Sequence, residues 1–289
     1  MDLRFALLNV FSIDGDPFSG NPLCVFEDAA ALTDRQMQAW ARQFNLSETT
    51  FVTAMHAGSA GVAEADVRVF TASYEMPFAG HPTLGTAHVV AASAGGIDEV
   101  ALSLPAGRIP VRRVGEGWRL RANSASARSH PATVSDIAEV LGLGSRAVAS
   151  DGAHRVDSGV EQVLVELVDA DAVHACRPDP SGLREHLSVP GREPQVYVWA
   201  RTGQSTVSAR FFAVSGTVLE EDPATGSAAA NLGSWLAVTG RRGEAITISQ
   251  GDQVARPSRL ELTVDDHGTV FVGGRVTEVG GGTVRATEG

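Results

Sequence analysis

Ala79-Gly80-His81-Pro82-Thr83-Leu84-Gly85 and Glu221-Asp222-Pro223-Ala224-Thr225-Gly226-Ser227-Ala228 are the two stretches whose reading decides the fold of this chain. Each runs a short polar turn containing glycine straight into an Ala/Leu-rich stretch of helical character. Pro82 suits a first helical turn, where its missing N–H would have no partner anyway. Thr225, Gly226 and Ser227 open the second helix. The likeness of the two stretches predicts a chain of two similar halves. Their helix starts are expected to face each other, with backbone N–H groups of both directed at one bound anion.

A third stretch, Asn45-Leu46-Ser47-Glu48-Thr49-Thr50-Phe51, puts Glu48 near the start of a strand. Around it the chain reads as alternating strands and helices. A strand is expected over 3–11, then a turn-rich loop from Ser12 to Pro22 and a short strand at Leu23–Phe26. Thr33 is a good N-cap with Gln36 at the capping-box position, so a helix is expected from there to about Phe44. Strands are expected at Ser47–Thr53 and Ala65–Phe70, and a helix from Gly80 to about Ala92. The Ser/Ala/Asn-rich run from Ala122 to Thr133 is the expected boundary, giving halves at 1–125 and 126–289. The second half repeats the outline, with a helix from Thr225 to about Val238, three closing strands ending near Val276, and a loose Gly-rich tail.

Composition narrows the function classes. The 289 residues carry a net charge of −11, and all 23 Lys+Arg positions are Arg. Nucleic-acid binding rewards clustered basic charge, which this acidic chain lacks. A small anionic substrate stays compatible, because local dipoles outweigh a screened global charge. Cys24 and Cys176 are far apart and form no Cys-x-x-Cys, so each reads as a small buried hydrophobe. No apolar run approaches a membrane span, and Met1 to Phe5 do not resemble a secretory signal, so a cytoplasmic protein is expected. Dinucleotide, P-loop, Gly-x-Ser-x-Gly and His-Glu-x-x-His patterns are missing, and the histidines show no metal spacing.

Taken singly, the polar residues have ordinary readings. Glu48 alone would be a solvated carboxylate at a strand edge. His81 would be a capping or surface histidine, and Asp222, Thr225 and Ser227 would be a capping segment. Their company points further: a carboxyl group, a histidine and a second carboxylate beside two helix starts make a proton-transfer site.

Five motifs in order then resemble one family. Asp16-Pro17-Phe18-Ser19-Gly20-Asn21-Pro22, the Glu48 stretch, the His81 stretch, the Asp222 stretch and Gln250-Gly251…Arg256-Pro257-Ser258 are similar to the PhzF family of phenazine-biosynthesis isomerase-like proteins. The resemblance implies an α+β, diaminopimelate epimerase-like fold. That fold has two pseudo-symmetric domains, each a mostly antiparallel sheet wrapped around a central helix, with the active site in the cleft between them. It implies homodimers, no cofactor, no metal, and a small anionic substrate such as trans-2,3-dihydro-3-hydroxyanthranilate. By residue, it makes Glu48 the acid/base, with His81 and Asp222 as further catalytic residues. Ser47, Gly80, Gly226 and Ser227 would bind substrate.

Related epimerases place a cysteine on each face of the substrate. Here those positions hold Ala79 and Pro223, so a single acid/base fits better than two thiols. Burial and a nearby Asp222 are expected to keep Glu48 protonated for delivery to carbon. Alternatives are an isomerase of another antibiotic pathway acting on an alkylproline-type diene, an amino-acid epimerase, and a non-catalytic binder that leaves Glu48 without a task.

Overall fold

The computed structural model describes residues 2–56, 58 and 61–285. The chain groups into two compact units, Met1–Leu120 with Gly273–Gly289, and Arg121–Val272.

The first unit contains β1 (Asp2–Val10), β2 (Asn21–Phe26), α1 (Asp34–Phe44), β3 (Glu48–His56), β4 (Val62–Phe70), β5 (Glu75–Met76), α2 (Gly80–Ser93), β6 (Glu99–Leu104), β7 (Gly107–Val114) and β8 (Gly117–Arg121). Most neighbours are antiparallel. Parallel pairs are β2 with β3, joined through α1, and β4 with β6, joined through α2. Alternation sets the faces. Along β4, Ala63, Ala65, Val67 and Val69 are buried while Glu64, Asp66 and Arg68 are not, so a one-residue slip would reverse the sheet. One face packs on α1, whose Met37 and Ala41 join Phe26, Phe51 and Phe70 in a small core. The other face wraps α2, which is apolar and buried on nearly every side.

The second unit repeats this plan with β9 (Ser126–Ser129), α3 (Val134–Val140), β10 (Val148–Asp157), β11 (Glu161–Leu167), α4 (Ala170–Ala175), α5 (Pro180–His186), β12 (Gln195–Gly203), β13 (Thr206–Ser215), β14 (Val218–Asp222), α6 (Gly226–Val238), β15 (Glu244–Gln250) and β16 (Ser258–Val264). Again two neighbouring pairs run parallel: β11 with β12 across the small helices, and β13 with β15 across α6. The α+β fold with a wrapped central helix in each repeat is thus the observed one.

Glycines let the central helices sit against their sheets. A Cβ on Gly85 of α2 would lie 2.4 Å from Leu23 Cδ2, and one on Gly233 of α6 would lie 2.6 Å from Leu262 Cδ1. The capping box of Thr33 and Gln36 on α1 is formed as expected.

Two expectations need correction. The Gly-rich tail is not loose: β17 runs Val270–Arg285, and its Glu278–Arg285 portion pairs with β1 from Leu8 back to Asp2. The last four residues of that tail, 286–289, lie outside the described residues. The second unit therefore ends at Val272 rather than at the chain's end, because β17 returns to the first unit. The expected boundary run also contains β9, which pairs with β10. Among the described residues, no helix is long and apolar enough to cross a membrane.

Candidate active site

Of the seven predicted residues, Ser47, Glu48, Gly80 and His81 lie in the first unit and Asp222, Gly226 and Ser227 in the second. In the first, α1 ends at Asn45, which takes the left-handed conformation at φ 51°. Asparagine tolerates that region better than most residues. The chain then bends through an exposed Ser47 and enters β3 at Glu48, opposite Leu23 of β2. Two residues along the same face, Thr50 Oγ1 lies 2.8 Å from Thr86 Oγ1 of α2. This contact fixes β3 against the helix, so Glu48 is held beside the start of α2.

His81 is the second residue of α2 and is 6% exposed. Its Nε2 stands 3.5 Å from Glu48 Oε2, and the Glu48 side chain is 16% exposed. The ring bonds to the Pro22 backbone. Among the described residues Nε2 has no hydrogen-bond partner, so Nδ1–H is the donor and the Pro22 carbonyl accepts. Burial pushes the His81 pKa down to about 3, with the Pro22 bond opposing. The imidazole is therefore neutral near pH 7, rather than titrating there as a free histidine would. With the proton on Nδ1, Nε2 presents a lone pair to Glu48.

The Asp16–Pro22 motif explains how Pro22 is placed. Ser19 Oγ accepts from the Ile13 N–H at 2.7 Å and donates to the Asp16 carbonyl at 2.6 Å. Asp16 Oδ1 accepts from the Phe18 N–H at 2.9 Å. The motif is a self-bonded turn that delivers the Pro22 carbonyl to His81.

In the second unit, β14 ends at Asp222 and α6 starts at Gly226. Thr225 is the N-cap residue, but its side chain makes no cap hydrogen bond. It donates instead to Asp222 Oδ2 at 2.5 Å. Gln250 clamps the same turn, donating to the Asp222 carbonyl at 2.8 Å and to Thr225 Oγ1 at 3.0 Å. Next to it, Gly251 has φ +87°, and a Cβ there would lie 2.5 Å from the Pro223 carbonyl oxygen. Only glycine allows this approach. Ser227, half-buried, accepts from Gln162 Nε2 at 3.0 Å.

The two central helices differ from the shorter ones at their starts. Helices α1, α3, α4 and α5 all have a side chain bonded to a first-turn N–H. Helices α2 and α6 have none, at Ala79 and Thr225. Their first-turn N–H groups keep their capacity for an anion. The capping reading of Thr225 is thereby set aside.

Several residues went unread in the sequence. Gln162, Gln195, Asn231 and Tyr197 carry no motif of their own, and Pro22 was read only as part of its motif. Gln162 is 1% exposed on β11, which also holds Glu161 and Glu166, so its burial leaves no trace in the pattern. The Tyr197 hydroxyl is buried without a hydrogen-bond partner; burial first, and the Asp222 charge second, push its pKa up. A cavity of about 370 Å³ elsewhere in the first unit is lined by Leu3, Val52 and Val89 among others, and includes neither Glu48 nor His81.

Comparison with known proteins gives the family and the fold. The family described as phenazine biosynthesis-like protein (PhzC-PhzF) matches residues 9–289. An uncharacterized isomerase of Pasteurella multocida is 35% identical over 289 residues, covering 99% of this chain and 95% of its own. A trans-2,3-dihydro-3-hydroxyanthranilate isomerase of Pseudomonas aeruginosa is 31% identical over 271 residues, covering 92% and 91%. The crystal structure of a Bacillus anthracis phenazine biosynthesis protein of the PhzF family superposes with a TM-score of 0.80. It covers 99% of this chain and 100% of its own at 22% identity, a likeness of fold.

Proposed function

The chain belongs to the phenazine biosynthesis-like (PhzF) family of isomerases, and we propose that it moves a proton along a small conjugated carboxylate with Glu48 as the single acid/base. The substrate class is taken to be trans-2,3-dihydro-3-hydroxyanthranilate or a close analogue, the compound named for relatives at 31% to 33% identity. No cofactor takes part in the reaction as proposed, and the enzyme acts as a homodimer.

The buried Glu48–His81 pair carries this reading. A carboxylate and a neutral imidazole nitrogen both offer lone pairs, so their 3.5 Å approach favours a proton between them. Burial disfavours that proton on His81, and in the reaction as proposed the carboxyl group carries it. A neutral carboxylic acid is what protonation at carbon needs. Glu48 gives its proton to one carbon and takes one from another. The substrate leaves with its bonds shifted, its oxidation state unchanged, and the enzyme is restored. His81 keeps the acid oriented, and Asp222 holds the substrate amine or hydroxyl. The substrate carboxylate is bound by first-turn N–H groups at Gly80 and Gly226, by the Ser227 hydroxyl and by Ser47.

Proton NMR in D2O with trans-2,3-dihydro-3-hydroxyanthranilate tests both parts. Deuterium is expected at a ring carbon with the wild type and not with Glu48→Gln, whose turnover should fall by at least about 10²–10⁴. Near wild-type exchange by the variant would sink the role of Glu48. A wild type that exchanges nothing would sink the substrate class.

A further inference from the structure

We propose that Gln162 is a positioning residue that locks the Ser227 hydroxyl as a hydrogen-bond donor, so that this position selects a substrate group with acceptor character. The inference rests on the reading above, in which Ser227 meets the substrate carboxylate.

The polarity follows from two backbone groups. In the bend before β11, the Ser158 N–H can only donate and the Val160 carbonyl can only accept. Asn231 of α6 is fully buried and bonds both. Its Oδ1 accepts from Ser158 N at 2.9 Å and from Ser158 Oγ at 2.7 Å, and its Nδ2 donates to Val160 O at 2.9 Å. The amide of Asn231 therefore cannot be turned over. Its second Nδ2 proton goes to Gln162 Oε1 at 2.9 Å.

That bond fixes Gln162 in turn. Reversing its amide would set Gln162 Nε2 against Asn231 Nδ2, two donors without an acceptor, in a site closed to water. With Oε1 committed, Nε2 faces the other way and spends its two protons on Ser227 Oγ at 3.0 Å and Gln195 Oε1 at 3.2 Å. Ser227 Oγ thus receives a proton bond from the protein. Among the described residues it makes no other hydrogen bond, so its own proton is left for a ligand. A carboxylate oxygen accepts that proton, whereas an ammonium or amide N–H would have to use the one remaining lone pair and leave the hydroxyl proton unused.

Gln162→Glu tests this with almost no change of shape. The introduced carboxylate still accepts from Asn231, but it also takes the Ser227 proton and turns the hydroxyl inward. Lone pairs then face the ligand. Calorimetry with the stable aromatic carboxylate 3-hydroxyanthranilate is made on wild type, Gln162→Glu, Ser227→Ala and the double variant. Gln162→Glu is expected to weaken binding about tenfold or more, with recovery at low pH as the introduced carboxyl protonates. In the Ser227→Ala background the same change should cost less than about twofold. An equal loss in both backgrounds would show that Gln162 acts on the fold and not through the hydroxyl, and would overturn the proposal.

Should the wild type not bind this carboxylate, the substrate class fails, and the polarity is read directly. Neutron diffraction from deuterium-exchanged wild-type crystals is expected to show Gln162 deuterons directed at Ser227 and Gln195. Oxygen facing Ser227 would overturn the inference.

Discussion

His81 is a histidine that folding keeps neutral, and this makes stability depend on pH in a calculable way. Its folded pKa of about 3 lies below the ordinary 6.5, with burial as the main cause. Below pH 6.5 the unfolded chain takes up a proton that the folded chain refuses. The stability contribution is therefore complete above pH 6.5 and is lost as pH falls toward 3. The loss approaches about 1.4 kcal/mol per pH unit, which amounts to about 2 kcal/mol at pH 5. Glu48 Oε2 lies 3.5 Å from His81 Nε2, so the comparison is made between Glu48→Gln and the Glu48→Gln/His81→Gln double variant. His88, His130 and His154 are also held low, mainly by burial, but they remain in both proteins and cancel. Urea unfolding is followed from pH 8 to pH 5 at constant ionic strength. The double variant starts less stable, having lost the bond to Pro22. The gap should then close by about 2 kcal/mol at the acid end. If the two compact units unfold separately, the change belongs to the transition of the first. Parallel curves would mean that His81 titrates normally, and the acceptor role of its Nε2 toward Glu48 would fall with it.

Three further outcomes test the packing that supports the site. Gly85→Ala places a methyl group 2.4 Å from Leu23 Cδ2 and should destabilise the first unit by about 1–3 kcal/mol. Leu23→Val should restore part of that loss in a thermal melt, and no coupling between the two would refute the steric account. Arg210 and Glu221 form a two-pronged ion pair with side chains 7% and 13% exposed. Arg210→Met should cost about 3–5 kcal/mol by stranding the Glu221 charge. Adding Glu221→Leu should recover part of it, read from urea midpoints; a double variant no better than the single would refute this. Ending the chain after Val276 removes the residues that pair with Asp2–Leu8 and bares an edge of β1. Aggregation on size-exclusion chromatography is expected, and an unchanged profile would mean that the segment is dispensable.

Much of the fold was legible because its signals are local. The capping box of Thr33 and Gln36 and the polar turns before α2 and α6 lie within a few residues of what they specify. The repeat was faint in the sequence, yet the order of parallel and antiparallel neighbours reproduces it nearly strand for strand. What stayed hidden depends on distant partners. The stretch after Val276 reads as loose because glycine weakens strand propensity. Its strand is secured by β1, from the other end of the chain. Glu48 and His81 were legible as candidates, whereas the state of His81 was not, since it depends on burial and on the Pro22 carbonyl. Gln162, Asn231 and Ser227 are joined across 65 to 69 positions of sequence, and no spacing rule links them.

The repeat also shows how the same places can be given different chemistry. Glu48 opens β3 and Gln195 opens β12, each on a strand running parallel to the one before it. His81 is the second residue of α2 and Ser227 the second of α6. The first unit thus has a carboxyl and an imidazole where the second has an amide and a hydroxyl. The former pair includes an ionisable carboxyl, and the latter can only donate and accept hydrogen bonds. The Asp222 carboxylate stands in the second unit, but it is engaged by the Thr225 hydroxyl. Thiols do not supply a second carrier. Cys24 and Cys176 are fully buried, and burial pushes them up to about 12 and about 11, so both stay protonated and out of reach. Racemisation through two opposed bases needs a proton carrier on each side of the substrate. A chain in which one repeat keeps an ionisable pair and the other replaces it with neutral groups is better matched to one carrier that releases and recovers its proton, as assigned to Glu48.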